Sequence, residues 1–371
     1  MKRKKLLYSL FSLYLLLGWT GCSVEDKSVF GDDFEIPELT DENTIQFTAN
    51  PDDWKEIGFI ACGGRIAIEW GDGRLQKIAN PSEDEPIVYK YGNLKTYQVR
   101  IWAEEIDYCR IEREANQIRN LRLGYLPNMK EVTFSAILNT AKIDLSASCP
   151  NAEVVTIDGC PDLEEVDISE CRKLKHIQIF TLPVLRSLQL EGHPELEGIW
   201  CTEIDKLQSL SLKGLPKLNY LFCPDNPQLS QLEFDDEAVV SSLRIYNCAF
   251  QSADFLSKLP FLKELSCSSN QLTRLDLSRQ SLLYTLSCSD NPRLTDLLIP
   301  EDNNLQVIEC HYCNLDANAL NAVFSRLTKI PAEDPKYEKF FYISYYKNRG
   351  EKDCNKDLLK GWHIVKNPAK E

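Results

Sequence analysis

From Ile118 onward the chain repeats one short pattern, apolar-x-x-apolar-x-apolar. It fits at Ile118/Leu121/Leu123, Met129/Val132/Phe134, Ala152/Val155/Ile157, Leu163/Val166/Ile168 and Leu174/Ile177/Ile179. It continues at Leu185/Leu188/Leu190, Leu196/Ile199/Cys201, Leu207/Leu210/Leu212, Leu218/Leu221/Cys223, Leu229/Leu232/Phe234 and Val240/Leu243/Ile245. It closes with Leu262/Leu265/Cys267, Leu272/Leu275/Leu277, Leu283/Leu286/Cys288, Leu294/Leu297/Ile299 and Leu305/Ile308/Cys310. The starts fall 11 residues apart almost throughout. Alternation at the end of each unit predicts a short strand, inner residues pointing one way and those between them facing solvent. Eleven residues are too few to circle a core, so two units should make one coil of about 22.

Three residues past the last apolar position stands Asn, Cys or a large apolar residue: Cys160, Cys171, Leu182, Leu215, Asn226, Cys248, Asn270, Asn291 and Cys313. Such a side chain should turn inward and bind the backbone of the bend or fill the corner. Proline often follows, as at Pro161, Pro183, Pro216, Pro227 and Pro292; its fixed φ and missing N–H suit a bend between strands. Cys201, Cys223, Cys267, Cys288 and Cys310 share an inward column with Phe134, Ile157, Ile179 and Ile245. They therefore read as small hydrophobes. Disulfides along the column are not expected, because strands about 4.8 Å apart hold Cβ atoms too far from each other. The Cys310-His311-Tyr312-Cys313 run invites a zinc or redox reading. Both cysteines sit on inward repeat positions and no second pair completes a site, so no metal is expected.

The 22-residue period and the LxxLxLxxN/CxL phrase are the leucine-rich-repeat signature, and the chain over about 106–371 resembles bacterial surface leucine-rich-repeat proteins. The tail, LDANALNAVFSRL followed by KFFYISYY and KGWHIV, is similar to the closing segment common in that family. Leu320, Val323, Phe324 and Leu327 give it a helical stripe, with Asp316 as N-cap. A cap is needed, since the last coil would otherwise expose its core edge. Ahead of the repeats, Trp70-Gly71-Asp72-Gly73 followed by Tyr97, Val99 and Ile101 resembles the PKD-type immunoglobulin-like fold over about 44–105. The resemblance implies Trp70 in the core and Asp72 bracing the turn; one acid without a clustered set is weak for calcium. The expected fold is mainly β: a leucine-rich-repeat solenoid of about nine 22-residue coils, preceded by an immunoglobulin-like β-sandwich and closed by a C-terminal α/β cap.

The first 21 residues change the picture of location. MKRKK, then an apolar run, then TGC is the layout of a secretory signal peptide, too short for a comfortable membrane span. The cysteine after Gly21 resembles the lipobox of bacterial lipoproteins, which implies lipidation of Cys22 and an outer-membrane, surface-exposed protein. The acidic SVEDKSVFGDD resembles a surface-export tether. The alternative is an ordinary cleaved signal with a free Cys22. The expected organisation is thus 1–21 signal peptide, 22–43 lipid-anchored linker, 44–105 sandwich, 106–315 solenoid and 316–371 cap. Losing the leader removes four basic side chains and no acid, taking the net charge from −14 to −18. So acidic a chain repels phosphate backbones, and nucleic acid is excluded as a partner. Export permits disulfides; besides Cys22, 13 cysteines remain, an odd number that rules out full pairing.

Alternate half-coils give two faces. One is polar throughout: Glu165, Asp167, Ser187, Gln189, Ser209, Ser211, Gln231, Glu233, Arg274 and Asp276. The other carries His176, Gln178 and Phe180, then Trp200 and Thr202, then Tyr220 and Phe222, then Arg244 and Tyr246. This second set holds the LxCxxNxL phrase, which the family resemblance assigns to the concave parallel sheet. The candidate ligand-binding residues are therefore His176, Phe180, Trp200, Tyr220, Phe222, Arg244 and Tyr246. An exposed aromatic patch beside an arginine has the composition of a recognition hot spot; mutual packing of the rings is the alternative. Glu264, Ser266, Thr285, Ser287 and Glu309 continue the face without aromatics, so any hot spot should be local. No phosphate loop, GxSxG elbow or HExxH is present. The sequence therefore points to a non-catalytic surface protein without cofactor, binding an extracellular protein or glycan. A structural spacer, or a carboxylate-based hydrolase, is the alternative.

Overall fold

The computed structural model describes residues 28–51, 55–111, 118–328, 341–359 and 361–366. The signal sequence and Cys22 lie outside them, as do parts of the expected cap.

The repeat folds as a leucine-rich-repeat β-solenoid. Its spine is a 14-stranded sheet in which Tyr108–Ile111, Glu131–Ser135, Val154–Asp158, His176–Phe180, Gly198–Thr202 and Tyr220–Phe222 follow one another in parallel. Ser242–Arg244, Glu264–Ser266, Thr285–Ser287, Val307–Glu309, Tyr342–Ser344 and His363–Ile364 continue it. These strands make about eleven turns, more than the nine counted from the sequence. The template passed over Ile106/Cys109/Ile111 at the start, and the closing strands depart from the 22-residue period. On the opposite side the half-coils form only two-stranded ladders, such as Ser209–Ser211 with Gln231–Glu233. A 3-10 helix, Asp254–Lys258, replaces one of them.

In-register pairing puts like on like. Val155, Ile177, Ile199, Leu221, Leu243, Leu265, Leu286 and Ile308 form one inner column, and Ile157, Ile179, Cys201, Cys223, Ile245, Cys267, Cys288 and Cys310 the next; all are at most 1% exposed. Burial first, and then the neighbouring Cys313, pushes the Cys267 thiol far above its ordinary range. Such thiols stay protonated and unreactive. The 13 cysteines among the described residues are all free.

The corners are where polar chemistry enters the core. Asn270 donates from Nδ2 to the carbonyls of Ile245, Cys267 and Ser268 and accepts from the Phe250 N–H. Asn226 and Asn291 do the same in their coils. Cys248 and Cys313 stand in for asparagine, each thiol reaching a carbonyl at 3.3 Å. On the other corner, fully buried His193 places Nδ1 2.8 Å from the Leu190 carbonyl and Nε2 2.9 Å from that of Ile168. Ten of the twelve parallel strands then leave through a left-handed residue: Ala136, Gly159, Thr181, Glu203, Asp225, Asn247, Ser269, Asp290, Tyr312 and Lys347 have φ between 52° and 60°. Only one of these is glycine, so nearly every turn carries a conformation that L-residues resist.

Before the solenoid, Thr44–Ala49, Ile66–Glu69, Arg74–Ile78 and Tyr97–Trp102 form an antiparallel sheet. Trp70 is fully buried, stacked on Tyr89 at 4.5 Å. Asp72 accepts from the Arg74 N–H and the Tyr89 hydroxyl, bracing the turn as expected. Two strands tie this unit to the repeats. Glu56–Cys62 pairs with Tyr108–Ile111, and Ile118–Leu123, the first half-coil of the sequence pattern, pairs with Thr44–Ala49. One apolar cluster consequently runs from Ile45 to Trp362. Ser28–Gly31 adds a parallel edge strand on Arg74–Ile78, and Phe34, Ile36 and Leu39 pack over Ala67, Leu75 and Trp102. At the far end the helix Ala317–Arg326 starts where the Asp316 carboxylate accepts from the Ala319 N–H, and buries Leu320, Val323 and Phe324.

Candidate ligand-binding face of the long sheet

Outward residues of the spine align in rows, because parallel pairing brings equivalent positions together. The middle row reads Gln178, Trp200, Phe222, Arg244, Ser266, Ser287, Glu309, Ser344. The row before it reads His176, Gly198, Tyr220, Ser242, Glu264, Thr285.

Five of the seven residues expected from the sequence meet in one group. Trp200 stands edge-on to His176, centroids 5.8 Å apart, and edge-on to Phe222 at 5.7 Å. Tyr220 tilts against Phe222 at 6.2 Å, and the Arg244 guanidinium lies 4.8 Å over the Phe222 ring. Phe180 closes its strand and Tyr246 lies two residues past the end of its own, both on the margin of the sheet; among the described contacts neither joins this ring group. Edge-to-face pairs and a cation over a ring each contribute about 0.5–1.5 kcal/mol beyond simple burial. The group therefore holds itself in place. It still faces solvent: Tyr220 is 40% exposed, while Trp200, Phe222 and His176 are half-buried.

Gly198 makes the seat for Trp200. A Cβ on Gly198 would sit 2.5 Å from the indole Cζ3 and 3.0 Å from His176 Nδ1. The indole thus lies across the gap that a missing side chain leaves in the neighbouring row. His176 Nδ1 beneath it is buried without a hydrogen-bond partner among the described residues.

Arg244 also lies 3.8 Å from Glu264, both partly exposed, so this ion pair orients the guanidinium more than it stabilises the fold. Glu264 accepts from the hydroxyls of Ser242 and Tyr284. That bond to Glu264, ahead of burial, raises the Tyr284 pKa.

A second aromatic group, missed in the sequence, lies further along the face toward the C-terminal strands. His311 stacks on Tyr346, centroids 4.6 Å apart and planes 9° from parallel, and Tyr312 stands edge-on to Tyr346 at 5.2 Å. His311 Nδ1 is held by the hydroxyls of Ser289 at 2.9 Å and Ser344 at 3.2 Å. Burial pushes its pKa below the ordinary imidazole value. The signal was half present: His311 sits on an outward position of the pattern. Tyr346 comes from a closing coil out of period, which hid the pair.

No cluster of three or more His, Cys, Asp or Glu side chains among the described residues could hold a metal ion, and no helix among them is long and apolar enough to cross a membrane. No protein-family model matches the chain, and no curated protein matches it. Among solved structures, the chain is similar to the functional domain of InlJ from Listeria monocytogenes, described as including a cysteine ladder. Identity is 18% and the TM-score 0.46, over 65% of this chain and 53% of that one. The chain thus spans about half the length of that domain. It is also similar to the internalin InlF from Listeria monocytogenes strain 4b F2365, at 15% identity and TM-score 0.35, over 70% of this chain and 87% of that one.

Proposed function

We propose that this protein is a non-catalytic binding protein displayed outside the cell, gripping an extracellular protein or glycan with the outward face of its long sheet. The observation that carries this reading is the Trp200 group. Rings that only needed burial would sit inside the solenoid, as Phe134, Phe234 and Phe250 do. Here Trp200, Phe222 and Tyr220 are fixed by one another, by Gly198 and by Arg244, and still face solvent. Little conformational entropy remains to be lost when a partner lands on such a surface. Tryptophan, tyrosine and arginine are the residues that dominate binding hot spots. Phe180 and Tyr246 on the margin would extend the same surface. We assign anchoring to lipidated Cys22, which palmitate labelling of wild type and Cys22→Ala in the native host would test.

The test of function is a screen of the protein beginning at Ser23 against extracellular-protein and glycan arrays, alongside Trp200→Ala/Phe222→Ala. A hit lost in the variant at an unchanged melting temperature supports the reading. A hit retained by a stable variant moves the site elsewhere and refutes it.

A further inference from the structure

Beyond Arg244 the outward face turns polar. Ser266 and Ser287 follow Arg244 in the middle row, with Thr285 and Ser268 beside them, all half-buried. Their hydroxyls are already organised: Ser268 and Ser287 lie 2.9 Å apart, and Ser287 donates to Glu309 at 2.9 Å. This floor ends at the stacked pair of His311 and Tyr346, with Tyr312 across it and 46% exposed. This stretch of the face therefore has an aromatic platform at each end and a hydroxyl and carboxylate floor between them. Four strand steps separate the strand of Phe222 from that of Glu309, roughly 19 Å at about 4.8 Å per step, a span of roughly four linked pyranose rings.

This order is the reverse of a protein interface, which places its apolar residues at the centre and its polar ones on the rim. It suits an elongated ligand that is polar along its length and offers a flat C–H face at intervals. Glu264 and Glu309 on the floor oppose an anionic chain, since Arg244 is already shared with Glu264. Resting on the reading of this sheet as the binding face, we propose that the ligand is a neutral oligosaccharide. It lies across the strands, stacked on Trp200 and Phe222 at one end and on Tyr346 and Tyr312 at the other. Its hydroxyls exchange hydrogen bonds with Ser266, Ser268, Thr285 and Ser287. Ser289 and Ser344, buried beneath, hold His311 in its stack. A chain long enough to reach both platforms gains the second contact without a second loss of translational freedom.

The experiment is a neutral-glycan array, followed by calorimetry on each hit as a series of two to six sugar units, with oligogalacturonate as the anionic counterpart. The proteins are wild type, Trp200→Ala/Phe222→Ala, Tyr346→Ala and the exposed Tyr312→Ala. The last guards against a Tyr346 variant that fails to fold. We expect affinity to rise at least tenfold between two units and the longest, and weak or no binding of oligogalacturonate. Tyr346→Ala or Tyr312→Ala should abolish the length-dependent gain and leave short-chain binding in place. A saccharide hit with no length dependence, or a gain untouched by either tyrosine variant, overturns the two-platform assignment. No neutral glycan bound overturns the inference outright. If a protein hit lost in Trp200→Ala/Phe222→Ala remains in that case, the binding-face reading survives; without one, both fail.

Discussion

Replacing Asn270 puts a number on the corner chemistry. The side chain is 1% exposed and serves four backbone groups: the carbonyls of Ile245 at 2.8 Å, Cys267 at 3.1 Å and Ser268 at 3.1 Å, and the Phe250 N–H at 2.9 Å. Asn270→Ala leaves all four without this partner at a buried corner. An unsatisfied buried polar group costs about 1–3 kcal/mol, but three carbonyls share two amide hydrogens, so the bonds are not additive and the loss should be about 2–4 kcal/mol. Asn270→Cys should cost less, about 1–2 kcal/mol, because thiols at Cys248 and Cys313 already bond corner carbonyls at the equivalent position. Asn270→Asp should cost most near neutral pH, since a carboxylate facing three carbonyls has nothing to donate. That loss should shrink as the pH falls and the acid gains its proton. Urea unfolding followed by circular dichroism reads these differences as midpoint shifts at constant slope. Equal losses for the alanine and cysteine variants, or an alanine variant within about 0.5 kcal/mol of wild type, would refute the bonding account of the corner.

Thr181 is β-branched at φ 53°, so Thr181→Gly should stabilise the protein by about 0.5–1 kcal/mol, strain relieved outweighing the added freedom of the unfolded chain; a lowered urea midpoint would count against this. In the protein beginning at Ser23, only half-exposed Cys62 should react with a thiol reagent before unfolding, slowly, because burial first and then Asp107 raise its pKa; fast labelling of Cys267 or Cys310 would contradict the inert column. Stability should fall with acid in two steps. His311, held below the ordinary imidazole value, contributes stability that is complete above about pH 6.5 and is lost as the pH falls toward its folded value. Asp167, held low by the Ser169 N–H and the Ser146 hydroxyl, and Asp276, held low by Ser278, contribute stability complete above about pH 4 and lost below it. Melting profiles against pH should show the first step vanish in His311→Phe while the second persists; an unchanged first step would mean another group carries it.

The repeat was legible because a buried in-register sheet tolerates no slip. One residue of offset would turn every leucine outward, so the apolar positions are written into the sequence with a nearly constant period. The outward aromatic group was legible for the same reason, since fixing Ile199 and Leu221 as inner residues fixes Trp200 and Phe222 as outer ones. Three things were not. Several left-handed corners are carried by Glu203, Ser269 and Tyr312, and nothing in those residue types announces the conformation. The junction with the N-terminal antiparallel sheet was hidden because Ile118/Leu121/Leu123 obeys the repeat pattern yet hydrogen-bonds to Thr44–Ala49. Local periodicity says which face is buried, not which strand will lie alongside. Tyr346 joined His311 through a coil that breaks the period, so its partner could not be counted from the row.

The platform itself is most directly tested at Gly198, which touches no ligand in this account. Gly198→Ala keeps every aromatic side chain and adds one methyl group where the indole lies, 2.5 Å from Cζ3. The indole must leave its seat and lose its edge contacts with His176 and Phe222. Titrating the best hit of the arrays against wild type and Gly198→Ala should show affinity at least tenfold weaker. The near-ultraviolet signal should change, with little loss of melting temperature. Unchanged affinity with the indole displaced would contradict the claim that the seated Trp200 group is the binding surface.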